Sequence, residues 1–208
     1  MKLIELKVNE YLDILLSDAP APGGGSVSAL AGAQGAALLA MVCDLTTSKE
    51  KYAEEHELCV GIREKAGAIY EGFARAVDDD TAAFNLVSAA FKMPKGTDAE
   101  KAARKKAIAD GTLEATKVPF HVMEMASEGL ALAEQLQGHY NRNCDSDYGV
   151  GVLNLMTCMR GAWLNVKINL PGVKDEGLAA EYAEKGRQML EDGEKIAERI
   201  YGEIEAGL

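Results

Sequence analysis

Apolar residues recur at steps of three and four along almost the whole chain, so the pattern predicts helices and no convincing strand. The first stripe is Val8, Tyr11, Leu12, Leu15 and Leu16. A much longer one follows: Leu58, Ile62, Ala66, Ile69, Phe73, Val77, Asp80, Phe84, Val87 and Phe91, a continuous buried stripe with one carboxylate set into it. From about Tyr148 to Leu170 the chain is apolar almost all round, which marks a buried helix. The last stripe, Leu178, Tyr182, Met189, Ile196, Ile200 and Ile204, carries Gly186 and Gly193 on the same face, where a neighbouring helix can come close.

Breakers and caps divide these stripes into elements. Pro20 to Gly25 is a stop followed by a permissive backbone, and Ser26 is positioned to cap a small-residue helix running toward Cys43. Phe91 to Gly96 interrupts the long helix, and Thr97-Asp98-Ala99-Glu100 restarts it as a capping box. Pro119 kinks or divides the next helix, which Val122, Met125, Leu130, Leu132 and Leu136 continue. Asn141 to Asp147 is a polar loop able to cap its successor, and Pro171-Gly172 precedes the last helix near Asp175-Glu176. The expectation is an all-α fold: an antiparallel bundle of about six helices, some long, forming a single domain over 1–208, with a homodimer along an apolar seam.

Three features break the apolar pattern in ways that suggest chemistry. Asp80 occupies a core position, where an unpaired carboxylate is costly, so it requires a partner or a chemical role. Asp78 and Asp79 point elsewhere and read as solvated. Asn154, Asn165 and Asn169 fall within about 60° of one another around a helix, giving one side of a buried element a row of amides that need partners. Gly23, Gly24 and Gly25, with Ser26, offer backbone amides to an anion or a planar polar ligand above a helix start. Each has a plain structural alternative: a tight turn, an acid paired to a lysine or a helix end, and interhelical hydrogen bonds.

Composition narrows the class. With 208 residues, 48% of them hydrophobic, the chain can bury a substantial core. A net charge of −11 argues against general nucleic-acid binding but leaves room for a local basic pocket. The 25 uncharged residues between Asp18 and Asp44 are poor in large hydrophobes and contain Gln34, favouring a central buried helix over a membrane span. Met1 to Glu5 does not open a signal peptide, and four dispersed cysteines suit reduced thiols, so a cytoplasmic location is expected. His56, His121 and His139 have no ligand-like companions, and no metal site is expected. Lys101, Arg104, Lys105 and Lys106 read as a solvated face.

Six segments in order carry a resemblance: Ala19 to Ser26, Met41 to Thr46, Lys49 to Tyr52, Lys92 to Thr97, Ser146-Asp147 and Asn165 to Leu170. Together they resemble the formimidoyltetrahydrofolate cyclodeaminase and methenyltetrahydrofolate cyclohydrolase family over nearly the entire chain. Ser48, the Cys43-Asp44 pair and Tyr148 depart from its usual pattern. The resemblance implies an all-helical homodimer or larger assembly acting on a folate in one-carbon metabolism, as a stand-alone member without the transferase domain of the bifunctional animal enzymes. It implies a tetrahydrofolate derivative as substrate and no metal or redox cofactor. A folate presents a pterin, a one-carbon bridge and an anionic glutamate tail. The expected residues are Asp80, Asp147 and Asp44 as catalytic acids, and Gly23, Gly24, Gly25 and Ser26 against the pterin or its bridge. Lys49, Lys51 or Lys95 is expected at the tail, with Tyr52, Asn165 and Asn169 as further binding groups. Cyclohydrolase is preferred, with cyclodeaminase and a non-catalytic folate- or anion-binding dimer as alternatives.

Overall fold

A computed structural model describes residues 2–208. Among them there are six α-helices and no strand: α1 (Val8–Leu15), α2 (Gly24–Thr47), α3 (His56–Phe91), α4 (Asp98–Leu136), α5 (Asp145–Asn169) and α6 (Glu176–Gly207). Short 3-10 turns at Leu3–Glu5, Glu50–Glu55, Arg142–Cys144 and Leu170–Gly172 connect or precede them. The starts of α4 and α6 follow signals legible in the sequence, whereas α5 has no side-chain cap because Asn141 caps the 3-10 turn before it. Thr97 Oγ1 accepts the Glu100 amide at 3.2 Å while Glu100 Oε2 accepts the Thr97 amide at 2.8 Å, and Asp175 Oδ1 accepts the Leu178 amide at 3.0 Å.

Helix α2 lies between α3 and α5, α4 closes the other side of those two, and α6 covers α4 and α5. Helices α2 and α3, α2 and α5, α3 and α4, α4 and α5, and α5 and α6 pack antiparallel, whereas α6 runs parallel to α4, with Tyr182 against Phe120, Gly193 against Leu130 and Arg199 paired with Glu134. Small residues on α2 set the spacing: a Cβ on Gly32 would stand 2.5 Å from the Phe73 ring, and one on Gly35 would meet the Gly151 carbonyl at 2.8 Å. Phe73 is thereby fully buried against bare backbone, which contributes about 1.5–3 kcal/mol by apolar burial. Gly186 seats the Trp163 ring and Gly193 the Leu130 side chain, as the α6 pattern anticipates.

Several sequence expectations need correction. The α1 stripe is not a core stripe: only Tyr11 is buried, and Val8, Leu12 and Leu16 are exposed. The α3 stripe is buried from Cys59 to Val77 and then emerges, with Phe84 and Phe91 exposed, because α3 outruns the helices that cover it. Asp78 is not free in solvent; its carboxylate accepts the Leu3 amide at 2.6 Å and the Ile4 amide at 3.4 Å, capping the first 3-10 turn. Pro119 does not divide α4, which runs through it for 39 residues. Helix α2 is long and apolar enough to cross a membrane by length and composition, and its core positions are covered by α3 and α5.

Candidate active site

The start of α2, the emerging part of α3, the middle of α4 and the end of α5 enclose a cavity of about 320 Å3 lined by Pro20, Gly23, Gly24, Gly25, Asp80, Phe84, Ala115, Asn165 and Asn169, among others. Asp80 sits where the α3 stripe leaves the core, so its side chain is fixed by packing on one side and faces the cavity on the other. Its Oδ2 accepts the Ser26 amide at 3.0 Å and lies 3.2 Å from the Ser26 hydroxyl. That hydroxyl has one proton and a closer acceptor in the Val77 carbonyl at 2.8 Å, so the amide is the constant donor to Asp80. Burial pushes the Asp80 carboxyl above its ordinary value, and the Ser26 hydrogen bonds pull it part of the way back.

Ser26 therefore does not cap α2. Gly23 is the N-cap residue, in extended conformation, and Ser26 stands inside the first turn with its amide satisfied from across the bundle. Nor do the glycines serve a left-handed backbone: among the described residues only Gly138 has positive φ. They provide room. A Cβ on Gly25 would lie 2.0 Å from Asp80 Oδ1, and one on Gly24 3.5 Å from Asn165 Nδ2. No residue larger than glycine fits at 25 while Asp80 holds this rotamer.

The amide row reduces to two. Asn165 donates to the Gly161 carbonyl at 2.8 Å, and Asn169 donates to the Asn165 carbonyl at 3.0 Å and to the Ala115 carbonyl of α4 at 2.7 Å. The last bond has a specific origin. Pro119 lacks the N–H that would normally bond the carbonyl four residues before it, so Ala115 is left an acceptor without a helical donor. Asn169 fills that gap and ties α5 to α4 at the cavity wall. Asn154 lies about 16 Å nearer the other end of α5 and bonds only the Val150 carbonyl, so it belongs to no cavity wall. We expect Asn169→Leu to lose about 1–3 kcal/mol in urea denaturation by orphaning the Ala115 carbonyl, and Pro119→Ala in that background to restore most of it.

All the remaining expected residues except Lys95 lie at the opposite end. Asp44 is about 30 Å along α2 from Gly24, exposed and 3.4 Å from Arg63. Lys49 and Lys51 are exposed beyond it, with Lys51 over the Tyr52 ring. The Tyr52 hydroxyl donates to Asn141 Oδ1 and accepts the Arg142 amide, both at 3.3 Å, bracing a loop. Asp147 is half-buried in the first turn of α5, about 27 Å along that helix from Asn165. Its neighbour Asp145 is the buried acid, accepting the Tyr140 hydroxyl at 2.7 Å and pairing with Arg142 at 3.1 Å. Within one protomer these groups do not meet Asp80. Lys95 lies near the Asp80 end, just past α3.

The fold and the cavity define an all-helical protein in which helix bodies present one carboxylate, Asp80, to a small polar cleft. The family model for the formiminotransferase-cyclodeaminase family matches residues 7–188, and the chain belongs to that family. It is 38% identical over 199 residues to a methenyltetrahydrofolate cyclohydrolase of Methylorubrum extorquens, covering 96% of each chain. It is 28% identical over 204 residues to the rat formimidoyltransferase-cyclodeaminase, of which it spans 38%. Its fold matches that of a formiminotetrahydrofolate cyclodeaminase from Thermotoga maritima with a TM-score of 0.80 at 24% identity, over 99% of this chain and 96% of the other.

Proposed function

We propose that this protein is a methenyltetrahydrofolate cyclohydrolase, interconverting the cationic methenyl and the 10-formyl forms of the cofactor-derived substrate. The observation that carries the reading is Asp80: a carboxylate held by Ser26 on the wall of a cavity whose other polar groups are first-turn amides and two asparagines. Water attacks the methenyl carbon, the five-membered ring opens at one nitrogen, and one proton is released. A carboxylate beside that carbon stabilises the cation and accepts the proton of water. The Gly24 and Gly25 amides and the Asn165 amide group then meet the polar edge of the pterin, while Lys95 lies toward the tail. Neither bond made nor bond broken changes an oxidation level, so the reaction as written requires no redox cofactor, and Asp80 serves as the base without a metal.

The cyclodeaminase reading uses the same pocket, because both reactions pass through the methenyl species. The raised Asp80 favours it in one respect: a carboxyl that keeps its proton longer can protonate the departing amine. Two assays separate the readings. Loss of methenyl absorbance in the near ultraviolet, without ammonia chemistry, supports the cyclohydrolase; methenyl accumulation from the formimino substrate with ammonia release supports the cyclodeaminase. Silence in both leaves a folate-binding module.

The same reading includes a cytoplasmic homodimer. Val27 and Leu45 on α2 share an exposed face with Val150, Leu153, Leu164 and Ile168 on the adjoining α5, and Leu164 and Ile168 are 65% and 77% exposed. Exposed hydrophobes gathered on two adjoining helices support reading this side as an interaction surface. An antiparallel two-fold pairing on it sets the Asp44–Tyr52 end of one copy toward the Asp80 end of the other, uniting the two groups of expected residues. Leu153→Glu with Leu164→Glu is expected to give a monomer in sedimentation velocity where the parent chain is a dimer.

A further inference from the structure

Tyr11 is the only buried residue of α1, 6% exposed, on a helix whose Val8, Leu12 and Leu16 stand in solvent. Its hydroxyl is sealed from solvent and, among the described residues, is the one buried side-chain polar atom without a hydrogen-bond partner. A buried hydroxyl with no acceptor is costly, and phenylalanine would fill the same space without that cost. The hydroxyl keeps its proton, because burial raises it above the ordinary tyrosine value and the nearby Asp80 charge raises it further. It is a donor in want of an acceptor.

The path of the chain explains how Tyr11 comes to Asp80. Before α1, the Leu3 and Ile4 amides are tied to Asp78, two residues from Asp80 on α3. After α1, the chain returns to Ser26, whose amide is tied to Asp80 itself. Helix α1 is thus fastened on both sides to the same turn of α3. Asp80 has the complementary gap: Oδ2 accepts from Ser26, whereas Oδ1, against bare Gly25, accepts no hydrogen bond among the described residues. No other ionisable group faces it. Around the cavity α2 offers Ser26, α4 offers Ala115, and α5 offers Asn165 and Asn169, while Asp79 lines a separate cleft with Arg75 and Lys117. An unpaired donor and an unpaired acceptor therefore lie close together without being bonded, on a helix that one buried side chain holds in place.

Building on the reading of Asp80 as the base, we propose that Tyr11 is its positioning residue: when substrate fills the cavity and displaces the solvent that serves Oδ1, the Tyr11 hydroxyl donates to that oxygen and holds the carboxylate ionised beside the methenyl carbon. A carboxylate oxygen has two lone-pair sites, so Oδ1 still accepts a proton of the attacking water. That proton passes on to the ring nitrogen as its bond to the carbon breaks, the second water proton is released as the formyl C=O forms, and Tyr11 keeps its own throughout. The test is Tyr11→Phe, with kcat and kcat/KM for methenyltetrahydrofolate followed against pH. The first profile reports Asp80 in the complex and the second in the free protein. The acidic limb of kcat should move up by about one pH unit, about a tenfold loss on that limb, while the limb of kcat/KM stays in place. The thermal midpoint should equal or exceed the parent's, because the variant buries no unpaired hydroxyl. In an Asp80→Asn background the same change should alter the residual kcat by less than about twofold. An unmoved kcat limb, a lowered thermal midpoint, or an undiminished loss in the Asp80→Asn background overturns the proposal. Full activity in Asp80→Asn alone overturns the reading of Asp80 on which it rests, so the two failures are distinct.

Discussion

Asp80→Asn is expected to lower kcat by about 10²- to 10⁴-fold, the usual range for a positioned acid or base, with helicity and oligomer size unchanged. Asparagine keeps the shape and can still accept the Ser26 amide, so only the charge and the proton-accepting capacity are removed. Stability should not fall at neutral pH. The folded-state value of Asp80 lies above its unfolded value, so its favourable contribution to folding is present below the ordinary carboxylate range and is lost as pH rises through the folded value. Asparagine carries no such loss, and its thermal midpoint at pH 7 should equal or exceed that of the parent. The same sign fixes the pH profile. Where Asp80 acts as base, the acidic limb of kcat lies above the ordinary carboxylate value, and Ser26→Ala, which removes a hydroxyl that favours the charged form, moves that limb higher still. Full activity in Asp80→Asn would remove Asp80 from the mechanism, and a variant that fails to fold would make it a structural acid.

Gly25→Ala is the second large effect, and it separates activity from stability. The new Cβ, 2.0 Å from Asp80 Oδ1, must expel the carboxylate from its place beside Ser26. Crowding of this kind costs about 1–3 kcal/mol. Alanine inside a helix offsets about 1 kcal/mol of that relative to glycine. The net change in unfolding free energy should therefore be small, while a displacement of an ångström at the reacting group costs on the order of 10²-fold in kcat. Calorimetry beside steady-state kinetics checks both halves. A variant that loses stability and activity together would place Gly25 in the packing of α2 alone.

Much of this was legible in the sequence. The polar interruption of the α3 stripe at Asp80 was visible because every other position in that run is apolar, and the glycine run and the Asn165–Asn169 pair flagged the facing walls. What spacing could not carry was position along the axis. A face is periodic whereas an end is not, so spacing groups Asn154 with Asn165 and Asn169 although it lies about 16 Å along α5 from Asn165, while Asp44 and Asp147, expected from the resemblance, sit about 30 and 27 Å from the cavity end of their helices. Ser26 read as a cap because serine before a small-residue helix favours one; the acid reaching it from α3 is a long-range contact that no local rule supplies. Asn169 has a partner on α4 only because Pro119, fifty residues earlier, leaves the Ala115 carbonyl bare. Lys105 reads in the sequence as part of a solvated face, and the fold sets it in one cleft with Lys174.

The glycines along α2 hold a further consequence. With Gly32 seated on Phe73, Gly35 against the α5 backbone and Gly161 against Ser28, the helix has no freedom to slide or turn about its axis without a collision. Register is thereby transmitted as in a key in a lock. The alignment of the first-turn amides with Asp80 is set as much by notches about 5 to 15 Å along α2 as by anything in the cleft, and a single methyl added at the farthest of them, Gly35, acts as a remote adjustment of catalysis.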